Sequence, residues 1–145
     1  MQKKRLFTVF GFVLAVALVA VCAILLIRAK TPAADFQYAD MSAIDDTVSP
    51  TGMHYVIENR AETCVGYGEE YHIEEKTLWG WKEAEQKGDL FWNAVLYEIP
   101  PHGSQECEVC WESVYGVLPT GTYRLVKTIR VNNEKYTAAA EFSIP

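Results

Sequence analysis

The sequence predicts an all-β fold, an antiparallel sandwich of about seven or eight strands, preceded by one N-terminal transmembrane helix. Three observations predict it. Leu6 to Ile27 runs for 22 residues without a charge, and at about 1.5 Å of rise per residue such a helix spans roughly the 30 Å hydrocarbon core of a bilayer. After Pro50, short runs alternate apolar and polar residues with a period of two, the repeat of a half-buried strand. Gly and Pro punctuate these runs, and helix-period segments are hard to find.

The expected order is a basic cytoplasmic N-terminus (1–5), a signal anchor (6–27), a tether (28–47) and a β-domain (48–145). Lys3, Lys4, Arg5 and the chain amino group precede the apolar run, and only Arg28 and Lys30 follow it. That bias puts the N-terminus inside and the domain outside the cytoplasm, giving a single-pass cell-membrane protein. A cleaved signal peptide would have an apolar region of about 7–15 residues and then a small-residue site, so an uncleaved anchor is expected. The alternative is a lipoprotein processed at Cys22 in Val19-Ala20-Val21-Cys22. Against it, Val21 is β-branched where a small residue is wanted, and the apolar run continues through Ala23 to Ile27.

All 19 acidic residues lie after residue 30, where only 8 of the 13 basic residues lie, so Thr31 to Pro145 carries a net charge of −11. Such a domain repels polyanions, which argues against nucleic acid and anionic lipid as partners. The charge also keeps an extracytoplasmic domain soluble. These 115 residues suffice for one domain and not two.

The strands are read in order. A weak one is expected near Ile44 to Val48. In the first clear strand Met53, Tyr55 and Ile57 face one way and His54 and Glu58 the other, ending at the turn-prone Asn59-Arg60-Ala61. Tyr67, Tyr71 and Ile73 share the next face. Glu69 would fall on that same face, so a bulge near Gly66 or Gly68, or a solvated strand end, is expected to rotate it out. Thr77 to Gly80 reads as a hairpin turn, and Trp81 opens the return strand. Phe91 to Ile99 follows, with Phe91, Val95, Tyr97 and Ile99 on one face, and stops at Pro100-Pro101 because proline cannot donate to a ladder. Cys107, Val109 and Trp111 then alternate inward. Thr122–Val131 and Tyr136–Ile144 form the last pair, joined at Asn132-Asn133, which tolerate left-handed φ.

Leu118-Pro119-Thr120-Gly121-Thr122-Tyr123 sets a tyrosine at a strand start just after a Pro/Gly corner, which resembles the tyrosine corner of immunoglobulin-type sandwiches. Leu125 stands where the strand-F cysteine of such domains would be, so apolar packing around Trp111 and Leu125 must hold the sheets together. Ser49-Pro50-Thr51-Gly52-Met53, Ile57-Glu58-Asn59, Tyr67-Gly68-Glu69-Glu70-Tyr71 and the block from Trp111 through Tyr115-Gly116 and Leu118-Pro119 to Lys127 resemble the bacterial Ig-like domains of Gram-positive membrane and surface proteins. The resemblance covers about residues 47–145 and implies an extracytoplasmic immunoglobulin-like sandwich with no catalytic residues to transfer. Cys64, Cys107 and Cys110 depart from its pattern. If the Met53 and Cys107 strands pair as B and E do in an Ig sandwich, Cys64 falls nearer Cys107 than Cys110, and a Cys64–Cys107 disulfide is expected in an oxidising compartment.

Chemistry finds little purchase. Cys107-x-x-Cys110 has its thiols on opposite strand faces, and no helix N-terminus is readable to lower a thiol pKa. Zinc lacks a second close ligand pair, since His54, His72 and His102 are scattered. No G-x-S-x-G, H-E-x-x-H or phosphate-binding glycine loop occurs. Glu69-Glu70 and Glu74-Glu75 read as solvated strand edges, and the spaced oxygens of a calcium loop are missing. No metal, cofactor or catalytic group is therefore assigned. The remaining signal is aromatic: Trp79 at a hairpin tip and Trp92, alternating away from Phe91 and Val95, are the candidate contact residues for a protein or glycan.

Overall fold

The computed structural model describes residues 37–89 and 91–145. The predicted anchor, Leu6–Ile27, and Cys22 lie outside them. Among the described residues no helix is long and apolar enough to cross a membrane.

Among the described residues nine strands form two sheets: β1 Ala39–Ala43, β2 Gly52–Asn59, β3 Val65–Tyr67, β4 His72–Thr77, β5 Gly80–Glu83, β6 Tyr97–Ile99, β7 Ser104–Cys110, β8 Gly121–Val131 and β9 Glu134–Ile144. The smaller sheet has the order β1-β2-β7, all antiparallel. The larger is built on β8, which pairs with β9 along its whole length. On its other edge β8 pairs with β4 through Leu125↔Ile73 and with β3 through Ile129↔Tyr67. β3 and β4 are therefore one line of strand broken between Tyr67 and His72, extended by β6 at one end and β5 at the other.

The long hairpin of β8 and β9 turns at Asn132 and Asn133, with φ of 50° and 67°, the double positive φ that a two-residue hairpin turn needs for its twist to match the strands. Tyr123, Leu125, Ile129 and Val131 of β8 and Ala138, Ala140, Phe142 and Ile144 of β9 are buried, a period-two stripe facing the β1-β2-β7 sheet. Trp111 is fully buried, stacks on Phe142 at 5.1 Å and donates its indole N–H to the Pro50 carbonyl at 2.9 Å. Tyr123 also stacks on Phe142, at 5.7 Å, and its hydroxyl donates to the Pro119 carbonyl at 2.9 Å. Leu125 is fully buried beside them.

Three elements differ from the sequence expectation. Residues 39–43, assigned to the tether, form β1, paired from Ala39↔Asn59 to Ala43↔Tyr55. Ala39 and Met41 are buried, but alanine carries too little apolar area for the alternation to stand out. Residues 44–48, expected as a weak strand, contain instead a 3-10 turn at Asp45–Thr47. Thr47 holds it, donating to the Ile44 carbonyl at 2.7 Å and accepting from the His54 amide at 2.8 Å. The expected strand 91–99 survives only as β6. Tyr67↔Tyr97 is its last pair; the β3–β4 break leaves residues 91–96 nothing to pair with, and Phe91, expected to share a face with Ile99, is 87% exposed while Ile99 is buried.

Candidate functional site

Among the described residues β7 is an edge strand. The side of the sandwich beside it, between the smaller sheet and the β3–β4 break, opens into a cleft of about 800 Å³. Gln105 through Cys110, six consecutive residues of β7, line one wall. The opposite wall comes from the crossing between β5 and β6, including Phe91 and Trp92, and from the residues around the break.

Aromatic rings form the floor. Tyr67 stacks on Tyr97 at 5.3 Å, and Tyr71 packs on Trp92 at 4.8 Å, both favourable offset or tilted geometries. Lys127 lies at the base. It occupies the inward parity of β8 between Leu125 and Ile129 and is 3% exposed. Its ammonium donates to the carbonyls of Glu69 and Glu70 at 3.3 and 3.1 Å, so it satisfies the backbone where the β3–β4 line is interrupted. It also sits 6.0 Å from the ring centroids of both Tyr55 and Tyr71, the outer limit of a cation–π contact.

Burial dominates the titration of this cluster. It lowers the Lys127 pKa to about 8, partly opposed by the neighbouring Cys107, Glu69 and Glu70. It raises the phenols of Tyr55 and Tyr67, with Cys107 adding to each, and pushes Tyr71 up to about 12. Cationic lysine and neutral phenols therefore face the cleft at neutral pH. Glu69 turns toward the crossing segment, where it accepts from the Asn93 backbone and side-chain amides at 3.3 and 3.0 Å. The strand break supplies the rotation that the sequence required of a bulge.

Of the two contact tryptophans expected from sequence, Trp92 lines the cleft and is half-buried against Tyr71. Trp79 lies elsewhere. It is 78% exposed beside the 98% exposed Leu78, on a β4–β5 turn fixed by the Thr77 hydroxyl and by Gly80 at φ 110°. Trp111, Tyr123 and Leu125 belong to the core, away from any opening.

The expected Cys64–Cys107 disulfide is not formed: Cys64, Cys107 and Cys110 carry free thiols. Cys107 pairs with Tyr55 in mid-strand, whereas Cys64 lies in the connection between β2 and β3. The Cys107 thiol instead donates to the Tyr67 hydroxyl at 3.6 Å. Glu74, expected on a solvated edge, is buried on the outer face of the larger sheet. There it is paired with Arg124, whose guanidinium lies 4.7 Å from the Trp81 ring.

Among the described residues no group of three or more His, Cys, Asp or Glu is placed to hold a metal ion. Sequence reasoning did not find Lys127 or the tyrosine floor. The signal available was parity, since Lys127 interrupts the stripe Tyr123, Leu125, Ile129, Val131.

Residues 35–143 match the family model described as bacterial Ig-like domain. No curated protein matches the chain. Among solved structures, structural-genomics target SoR45 is similar at 16% identity and a TM-score of 0.39, over 74% of this chain and 84% of that one. The ASH/PapD-like domain 7 of human CEP192 is similar at 16% identity and a TM-score of 0.35, over 78% and 89%.

Proposed function

Because the chain belongs to the bacterial Ig-like domain family, we propose that it is a non-enzymatic interaction module, anchored by residues 6–27 and presenting its β7 cleft to a protein or glycan outside the cytoplasm. The open aromatic cleft carries this reading. Its rings offer rigid contact area, and its floor is organised by hydrogen bonds that leave the opening unfilled. The uncharged run at Leu6–Ile27, its basic flank and the −11 charge beyond it support the anchor and the placement outside.

Two measurements test it. In intact cells a membrane-impermeant maleimide should label Cys64 and Cys110, both exposed; labelling only after lysis would contradict the placement. In a screen of the full chain in detergent against peptide and oligosaccharide panels, Trp92→Ala should weaken any binding found, and Trp79→Ala should leave it unchanged. The reverse pattern would move the contact surface to the β4–β5 tip. That tip also supports a second reading, a regulatory or structural subunit docked on another envelope membrane protein. Leu78 and Trp79 form an exposed apolar point separate from the cleft, which suits a second contact.

A further inference from the structure

We propose that β7 accepts an extended, basic segment of a partner protein as a fourth strand of the smaller sheet, its alternate apolar side chains seated in the tyrosine-floored cleft. This rests on the reading of the cleft as a contact surface, and it names the partner's chemistry.

The backbone of β7 sets the case. The Asn59 amide donates to the Gly103 carbonyl at 2.8 Å, and the Trp111 amide donates to the Thr51 carbonyl at 2.9 Å. These bonds bracket the β2–β7 ladder and lie in register with Tyr55↔Cys107. Since antiparallel pairs alternate between bonded and non-bonded, the odd-numbered residues of β7 bond to β2. The amides and carbonyls of Ser104, Glu106, Glu108 and Cys110 then point to the open edge. Two of those carbonyls are already engaged by side chains: Gln105 donates to that of Glu106 at 2.8 Å, and Tyr71 to that of Cys110 at 3.3 Å. The Glu106 and Glu108 amides and the Glu108 carbonyl have no partner among the described residues. An unpaired edge of this kind is a template for another strand.

Side chains select the occupant. Residues of an incoming strand that face inward would meet Tyr55, Tyr67, Tyr71 and Trp92, a surface suited to apolar or aromatic groups. Those that face outward would lie beside Glu108 and Glu106, both exposed; one Glu106 oxygen already meets the His54 ring of β2 at 3.0 Å, and lysine or arginine there forms favourable cross-strand pairs with Glu108 and with the remaining Glu106 oxygen. A second copy of this chain would bring Glu106 and Glu108 against their own counterparts, so like-charge repulsion disfavours self-pairing through this edge.

The test uses the full chain in detergent and a seven-residue synthetic peptide alternating lysine with valine and tyrosine, beside a counterpart with glutamate for lysine. The expected result is binding of the basic peptide, with slowed hydrogen exchange at the Glu106 and Glu108 amides read by fragmentation-resolved mass spectrometry. The acidic peptide should bind about tenfold more weakly, from two cross-strand pairs changed from attraction to repulsion. The double variant Glu106→Lys with Glu108→Lys, at two exposed sites that leave the β2–β7 ladder intact, should invert the preference. No binding of the basic peptide, binding without protection of those two amides, or equal affinity for both peptides would overturn strand addition. A tetrasaccharide of N-acetylglucosamine that binds and quenches Trp92 where the basic peptide does not would overturn it too, while leaving the broader contact reading standing.

Discussion

Lys127 sits on the inner face of β8 with its charge largely desolvated, and the folded domain releases its proton near pH 8 where an exposed lysine would hold it to about 10.5. Between those values the unfolded chain binds more protons than the folded one, so stability rises with pH. Tyr55, Tyr67 and Tyr71 act in the opposite sense above pH 10, because burial raises their folded pKa values above the ordinary 10.0 and the unfolded chain then loses protons that the folded chain keeps. Unfolding free energy should therefore climb from pH 8 to about 10, by on the order of 2 kcal/mol, and fall beyond it. Denaturant titrations across pH 7–11 measure this, and Lys127→Met should flatten the rising limb. In the core, Trp111→Ala removes a fully buried indole and its bond to Pro50, at a cost of about 3–5 kcal/mol. Tyr123→Phe removes only the hydroxyl bond to Pro119 and should cost about 1 kcal/mol. Trp111, Tyr123 and Leu125 were legible because each combined parity with a neighbouring turn. Lys127 was not, since a lysine within an apolar stripe scores as a flaw in the pattern until the carbonyls it serves are seen.

Among the elements, the strands with strong alternation, β2, β8 and β9, were legible nearly to their ends. β1 is hidden by alanine, and 91–96 carries a strand's pattern without the partner that a strand also needs. The break between β3 and β4 took that partner away, and it also exposed the carbonyls that Lys127 binds and opened the cleft. The candidate site is thus a consequence of interrupted pairing, which period-two analysis registers only as a misplaced Glu69. With Cys107 set in mid-strand opposite Tyr55 and three free thiols, timed alkylation of the native protein should modify Cys64 and Cys110 quickly and the half-buried Cys107 slowly. Adding a reductant should leave the midpoint of thermal unfolding unchanged. A reductant-sensitive midpoint, or a Cys64–Cys107 peptide in a non-reducing digest, would contradict the structure.

For the domain as a whole, the sandwich is closed where β1 packs near β9, with Tyr38 and Tyr136 4.5 Å apart, and open where β7 meets no further strand among the described residues. One side is finished and the other offers backbone, aromatic rings and two glutamates. Under the proposed strand addition, the acidic character beyond residue 30 would favour a basic partner and disfavour pairing between copies. The most direct test is site-specific photo-crosslinking in native membranes, with the photoreactive residue placed at Glu108 on the cleft edge, at Trp79 on the β4–β5 tip, or at Thr128, exposed on the outer face of β8. A single stoichiometric adduct from position 108 and none from 128 is the predicted result. Adducts from 79 or 128 without one from 108 would contradict the claim that the cleft is the contact surface.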